Sequence, residues 1–252
     1  MMMKWFWSLI GVMVLGLVGI IFGVLWVFWT FGQELPDYSQ LARYEPPVAT
    51  RIHAGNGALL AEFATQKRVF VPTKAIPPML IEAFLSAEDK SFYSHVGVDP
   101  VALARAVATN IAAIGSGRRL IGASTITQQV AKNFLLTNEI SIDRKVKEAI
   151  LAIRMERAFS KDQILALYLN EIYLGSGSYG VAVAALNYFD KALGQLDLHE
   201  VAYLAALPKA PSNYHPVRRT KAATARRNWV LLQMTRNGYI TQDEAAAAKA
   251  KP

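Results

Sequence analysis

Apolar residues fill the chain from Trp5 to Phe31, and no charged side chain lies between Lys4 and Glu34. As a helix, that run is long enough to cross a hydrocarbon core of about 30 Å. A cleavable leader has a shorter apolar region and small residues at its cleavage point, whereas this run continues through Trp26, Phe28, Trp29 and Phe31. The pattern predicts an uncleaved transmembrane signal anchor over residues 5–31, behind a cytoplasmic tail of residues 1–4. Trp5 and Trp7 at one end, and Trp26 and Trp29 at the other, fall where amphipathic rings settle at headgroup level. Lys4 and the amino terminus give a small positive excess on the cytoplasmic side, so the remaining chain is expected on the outer side. A buried core helix of a soluble protein is the other reading of the same run.

Residues 32–47 are polar and contain proline, which predicts a linker that lets the following domain, 48–252, stand off the membrane. Partial alternation from Thr50 to Val71, broken by Gly55-Asn56-Gly57, predicts a small β-hairpin. From Pro77 onward the signals are helical. Asp99 and Pro100 supply an N-cap and first helical residue for a run to Ile114. Ser160 with Gln163, Asp197 with Glu200, and Thr241 with Glu244 have capping-box spacing, while Gly175, Pro208 and Gly238 mark stops. The domain is therefore expected to be mainly α. No internal repeat is present, and Ala245 to Ala250 reads as a surface helix.

Composition narrows the class. A chain of 252 residues that is 53% hydrophobic excludes extended disorder and suits one full domain with an appendage. The formal charge of +8, from 27 Lys and Arg against 19 Asp and Glu, suits nucleic acid, anionic lipid or a phosphorylated substrate alike. With no cysteine, disulfides and thiolate metal sites are excluded.

Five blocks carry candidate chemistry. Glu88 and Asp89 end an apolar helix before Phe92, His95 and Asp99. A carboxylate at such an edge either acts as an acid or base with a raised pKa or is simply solvated, and His95 alone suits a structural role. Ser124, Thr125, Gln128, Gln129, Lys132 and Asn133 follow the flexible 115–119 stretch. They read either as a cradle for phosphate and sugar hydroxyls or as a hydroxyl-capped helix with a polar surface. Arg144, Lys145 and Glu148 share one helix face, as an exposed ion pair or as counter-charge for a departing diphosphate. The fourth block, Lys161 to Glu171, places Ile164, Leu165 and Leu169 as core. Arg226 to Leu231 is the fifth.

In this order the five blocks resemble the glycosyltransferase module, glycosyltransferase family 51, of class A penicillin-binding proteins and monofunctional peptidoglycan glycosyltransferases. The resemblance runs from about Val48 to the end, and the stretches 52–62, 77–88 and 207–212 look closest to the 1A type. It implies a lysozyme-like α-helical fold with a small mobile membrane-associated subdomain around residues 104–120. The implied reaction is polymerisation of lipid II into β-1,4-linked glycan with release of undecaprenyl diphosphate. By resemblance Glu88 is the general base, and Glu148 the second acid. Lys132, Arg144 and Lys145 would counter the diphosphate, with Glu148 organising it, through Mg2+ or Mn2+ where a cation takes part. Asp89, Phe92, His95, Ser124, Thr125, Gln128, Gln129 and Asn133 would belong to the same substrate-binding cleft. No residue is assigned as a dedicated metal ligand. Expected partners are lipid II, the growing glycan strand, the cytoplasmic membrane and other cell-wall synthesis proteins, with no nucleic acid.

The sequence departs from the family pattern at Ala123 and Asp190, where glycine is usual. Neither the Ser-x-x-Lys nor the Lys-Thr-Gly pattern of a transpeptidase occurs, which leaves a monofunctional enzyme or a piece of a bifunctional one, the latter slightly favoured. Two other functions suit parts of the same pattern. A lytic muramidase also suits a lysozyme-like fold, but has no evident need of three cations beside its acid. A catalytically inactive scaffold would be expected to lack the acids, and both Glu88 and Glu148 are present.

Overall fold

The computed structural model describes residues 2–33, 35–43, 50–56, 59–63, 69–115, 121–137, 139 and 141–252. The chain opens with helix α1, Met2–Gly32, which contains a stretch, Ile10–Gly32, of mean hydropathy 2.7. At about 1.5 Å per residue those 23 residues extend about 34 Å, enough to cross a bilayer. Among its described residues none is buried inside the protein, unlike the core helix of a soluble protein.

After α1 the chain does not stand off. Leu41 is buried and Leu35 and Tyr38 pack against the main core, with the Tyr38 ring edge-on to Phe159 at 6.4 Å. The Gly32 carbonyl, at the open end of α1, accepts a hydrogen bond from Arg154 at 3.0 Å. A cation there satisfies an orphan carbonyl and suits the negative end of the helix dipole. Proline and polar residues made 32–47 look like a free tether; Leu35, Tyr38 and Leu41 instead dock its described part.

Strands β1, Thr50–His53, and β2, Leu59–Phe63, form the expected antiparallel hairpin, with a register irregularity between Ile52 and His53. The helices follow. They are α2 (Pro78–Glu88), α3 (Pro100–Ala112), α4 (Ile126–Leu135), α5 (Ile142–Ala158), α6 (Lys161–Glu171) and α7 (Val181–Phe189). Then come α8 (Leu198–Ala206), α9 (Thr220–Arg236) and α10 (Gln242–Ala250). The protein is mainly α. Boundaries fall where short-range chemistry sets them: Asp99, Thr125, Ser141, Ser160 and Thr241 each accept a backbone N–H of the first turn they cap. The helix expected to run to Ile114 closes at Ala112.

Helix α8 is buried from Glu200 to Ala206 and forms the centre, with α2 and α9 packed on it. A helix apolar on nearly all sides belongs inside. Phe84 of α2 and Tyr168 of α6 meet edge-on at 6.2 Å in the same core. Helix α4 lies between α5 and α6, and α5 touches α1. That arrangement brings the ends of α2, α4 and α5 together. The other face of α3 is different: Val101, Leu103, Val107 and Ile111 are all exposed.

Candidate active site

Helix α2 stops at Glu88 because Asp89 turns extended, at φ −158° and ψ 77°. The Asp89 side chain is buried and accepts the Ile126 backbone N–H at 3.0 Å, at the positive end of α4. His95 Nε2 lies 3.0 and 3.1 Å from its two oxygens. This carboxylate fastens the end of α2 to the start of α4. Gly97, at φ +82°, comes so close to α5 that a Cβ would strike the Ala152 backbone, and its carbonyl accepts Thr125 Oγ1 at 2.5 Å. Only glycine fits both the conformation and the approach.

Thr125 and Gln128 form a reciprocal capping box, so both side chains serve the helix start. Gln129 follows and donates Nε2 to Glu88 Oε2 at 2.9 Å. Burial pushes the Glu88 carboxyl above the usual range. The Gln129 hydrogen bond, then the Arg226 and Lys209 charges, oppose that, and Asp89 adds to it. Three residues beyond Gln129, on the same face of α4, Lys132 makes no ion pair or hydrogen bond with any described residue. Burial and the nearby Arg144 lower its pKa.

On α5, Glu148 is 1% exposed and accepts from Arg144 Nη1 and from Lys145 Nζ, the latter at 2.6 Å. Lys145 Nζ also donates to Ser124 Oγ at 2.6 Å, and Arg144 Nε to the Glu139 carbonyl. Burial first, then Arg144 and Lys132, hold the Lys145 pKa down. These side chains line two chambers. One, of about 260 Å³, holds Glu88 between the end of α2, α3 and residues 121–125. The other, of about 230 Å³, is lined by Ser124, Gln128, Gln129, Lys132, Arg144, Lys145 and Glu148. Ser124 belongs to both, and the Glu88–Gln129 hydrogen bond joins them.

An acid beside a cationic chamber suits proton abstraction next to an anionic leaving group. A family model described as transglycosylase matches residues 56–235. This chain belongs to the transglycosylase family. It is 53% identical over 227 residues to penicillin-binding protein 1A of Rickettsia conorii, covering 90% of this chain and 29% of that relative. It is 46% identical to penicillin-binding protein 1A of Aquifex aeolicus, over 95% of this chain and 33% of the relative. For the Escherichia coli protein of the same name the identity is also 46%, over 84% and 24%. This chain thus spans about a quarter to a third of the length of these curated relatives. A crystal structure of penicillin-binding protein 1A from Haemophilus influenzae aligns over 83% of this chain and 21% of that one, at 29% identity and a TM-score of 0.46.

Within this chain the expected site residues divide. Glu88, Ser124, Gln129, Lys132, Arg144, Lys145 and Glu148 line the joined chambers. Asp89 and Thr125 also border the first chamber and Gln128 the second, but their buried side chains are engaged in fastening the start of α4; His95 lies beneath, on Asp89. Phe92 is fully buried, edge-on to His95 and under the Lys161 ammonium, so it packs the floor instead of lining the cleft. Asn133 is exposed and lines neither chamber. Beyond these residues, the Arg226 guanidinium, stacked 3.8 Å from the Trp229 ring, and Lys209 add positive potential at Glu88. Both stood in stretches that carried the resemblance, but nothing in their spacing said that they approach Glu88.

The donor set does not fit a divalent cation held by protein at the cationic chamber. Among the described residues Glu148 is the one acid lining it, and both its oxygens are taken by Arg144 and Lys145. Elsewhere, Asp197, His199 and Glu200 come close enough to share an ion, but Lys191 already donates to Glu200 at 2.8 and 2.9 Å and to Asp197 at 3.3 Å.

Proposed function

We propose that this chain is a peptidoglycan glycosyltransferase that extends glycan strands from lipid II, anchored by α1 in the bacterial cytoplasmic membrane with its catalytic domain outside. The observation that carries this reading is the hydrogen bond from Gln129 to a half-buried Glu88, linking an acid of raised pKa to a chamber of cations. Glu88 takes the proton from the acceptor's GlcNAc 4-hydroxyl. The freed oxygen pair attacks the donor's anomeric carbon as the bond from that carbon to the diphosphate oxygen breaks. The leaving pair departs with undecaprenyl diphosphate, and inversion at the α-linked donor gives the β-1,4 linkage. A base whose pKa is raised toward the working pH accepts this proton more readily.

Lys132, Arg144 and Lys145 supply charge where the diphosphate develops it, without water having to reorganise. Glu148 contributes by fixing Arg144 and Lys145. Because Glu148 occupies both cations, no step is assigned to a metal ion. The same three cations argue against a muramidase, whose leaving group is a neutral sugar hydroxyl. The test is glycan formation from purified lipid II by the natural chain and by Glu88→Gln, each with and without Mg2+ or Mn2+. Polymer from the natural chain alone, at similar rates with and without metal, is expected. Its absence under every condition overturns the polymerase reading.

A further inference from the structure

Beyond Lys209 the chain bends into a short 3-10 helix, Pro211–Tyr214, and a cavity of about 290 Å³ opens between it and the loop that follows α6. Gly175 lets the two segments meet: at φ +88° an added Cβ would lie 2.8 Å from the Tyr188 hydroxyl and 3.1 Å from Pro211 Cβ. The next residue, Ser176, is left-handed without being glycine, at φ +50°. Its hydroxyl lies 3.3 Å from that of Tyr188, which also donates to the Leu174 carbonyl at 2.9 Å. A side chain held at positive φ is strained, and such positions gather at ligand sites. Tyr173, 41% exposed and set 5.0 Å from the Tyr179 ring, gives the cavity an aromatic wall.

The lining carries cationic and hydroxyl groups and, among the described residues, no acid. His215 Nδ1 accepts the Val217 and Arg218 backbone N–H groups at 3.2 and 3.3 Å, which leaves the ring proton on Nε2. Neither that Nε2–H nor the exposed Arg218 guanidinium has a hydrogen-bond or ion-pair partner among the described residues. Arg218 also stands just before the positive end of α9. The site is thus built for an anion that the protein itself does not supply.

Its place in the fold is beside the reacting centre. Lys209, whose charge reaches Glu88, is two residues from Pro211, a span of at most about 7 Å. Tyr214, next to His215, acts in the same way on Arg226, the other cation that reaches Glu88 from a distance. Neither Lys209 nor Arg226 lines the cationic chamber, so this segment approaches Glu88 from outside the site of the departing diphosphate. In an inverting transfer the acceptor enters opposite the leaving group, which gives this side of Glu88 to the acceptor.

We infer that the cavity holds a free carboxylate of the peptide stem on the acceptor disaccharide, paired with Arg218 and with His215 Nε2–H, a reading that rests on the polymerase function. Lipid II carries its stem on the muramic acid, one sugar away from the 4-hydroxyl that Glu88 deprotonates. The planar guanidinium beside an N–H donor matches a carboxylate, and the hydroxyls of Ser176 and Ser212 suit the amides that flank it. A volume of 290 Å³ is at the bottom of the range of about 300–1,000 Å³ that holds whole ligands, so the cavity takes one end group and not a sugar pair.

Arg218 is exposed and has no described side-chain hydrogen bond or ion pair to lose, so Arg218→Gln should fold as the natural chain does. The full chain in phosphatidylcholine vesicles is given a lipid-linked donor strand capped at its terminal 4-hydroxyl, which can donate but not accept. The acceptor is lipid II with its stem carboxylates either free or amidated. Exchanging a charged for a neutral partner in one hydrogen-bonded pair corresponds to about tenfold in affinity. Amidation should therefore raise the natural chain's KM for the acceptor about tenfold. Arg218→Gln should raise KM for the free-acid acceptor by the same factor, and leave kcat and the KM for the amidated acceptor within about twofold. Arg218→Lys, which keeps the charge, should recover most of the loss. A KM that Arg218→Gln leaves unchanged, or raises equally for both acceptors, overturns the stem assignment alone. A rise seen only when phosphatidylglycerol is added to the vesicles gives Arg218 to lipid headgroups and overturns it as well. No transfer to either acceptor by the natural chain removes the polymerase reading and the stem site with it.

Discussion

Glu88 and Glu148 sit in adjoining chambers of one cleft, the first half-buried and the second almost fully buried. Glu88 accepts a neutral amide at 2.9 Å, with the Arg226 and Lys209 charges acting from further away. Glu148 accepts two cationic donors directly, from Arg144 and from Lys145 at 2.6 Å. Burial beside a neutral donor raises a carboxyl's proton affinity, whereas direct pairing consumes the charge. In the proposed mechanism the same residue type would therefore have two uses set by the partner's charge: a base ready to take a proton, and a strut that positions cations. Swapping either partner should move a glutamate from one use toward the other.

The largest effect is expected at Glu88. Glu88→Gln keeps the amide contact and removes the base, so turnover should fall about 10³-fold, within the range for general base catalysis. Stability should not fall with it. A carboxyl whose folded pKa is raised lends stability below its unfolded pKa and loses that contribution as pH rises through the folded pKa. At neutral pH the ionised Glu88 therefore costs stability, and the glutamine variant should melt at the same temperature or higher. By the same shift, turnover of the natural chain should decline with falling pH through a midpoint above the ordinary glutamate range. An acid limb at or below that range would contradict the burial argument.

Lys132→Ala comes next. Lys132 is the cation of the chamber with no described partner, so its charge is the one most available to a diphosphate. Removing one such donor should lower kcat about 10²-fold, read in the same polymerisation assay, while the melting temperature stays nearly unchanged. Glu148→Gln should invert that pattern. It leaves Arg144 and Lys145 facing each other without a counter-charge, and with the half-exposed Lys145 discounted for solvent screening the loss is about 2 kcal/mol. For a chain of this size that is a fall of about 4–8 °C in Tm, measured by thermal denaturation in detergent. An equal loss of activity from Lys132→Ala and Glu148→Gln, with Tm unchanged in both, would erase the distinction between donor and strut.

How much of this cleft could be read from the sequence follows the range of each interaction. Caps at Asp99, Thr125, Ser141, Ser160 and Thr241 act within a few residues, and the helix starts were legible from them. The face shared by Arg144, Lys145 and Glu148 was legible for the same reason. The contacts that define the cleft span much longer separations: Asp89 to Ile126, Glu88 to Gln129, Arg154 to Gly32. No local pattern encodes them. Family blocks also mix reactive residues with their supports, which is why Phe92, Thr125 and Gln128 stood among the substrate contacts. Phe92 is set apart by burial away from both chambers, whereas Thr125 and Gln128 still border them and are set apart by the reciprocal capping bonds that occupy their side chains. The docking of 35–41 was hidden because three apolar side chains in a polar, proline-containing segment carry no periodic signal.

The smallest effect lies outside the cleft, where a local rule and the structure agree. Asp190 ends α7 in the left-handed conformation, at φ 53° and ψ 38°, the position where the family pattern favours glycine. Its backbone N–H still closes on the Leu186 carbonyl, so the helix end is satisfied and only the conformational strain of a side chain at positive φ remains. Aspartate tolerates this conformation better than most residues, which limits the strain. Asp190→Gly should therefore raise stability by about 0.5–1 kcal/mol, roughly 1–4 °C in Tm. Polymerisation should not change, because Asp190 lines neither chamber. A change in turnover at this site would mean that α7 is coupled to Glu88 through the core helices, and that the contrast between the two glutamates depends on more than their immediate partners.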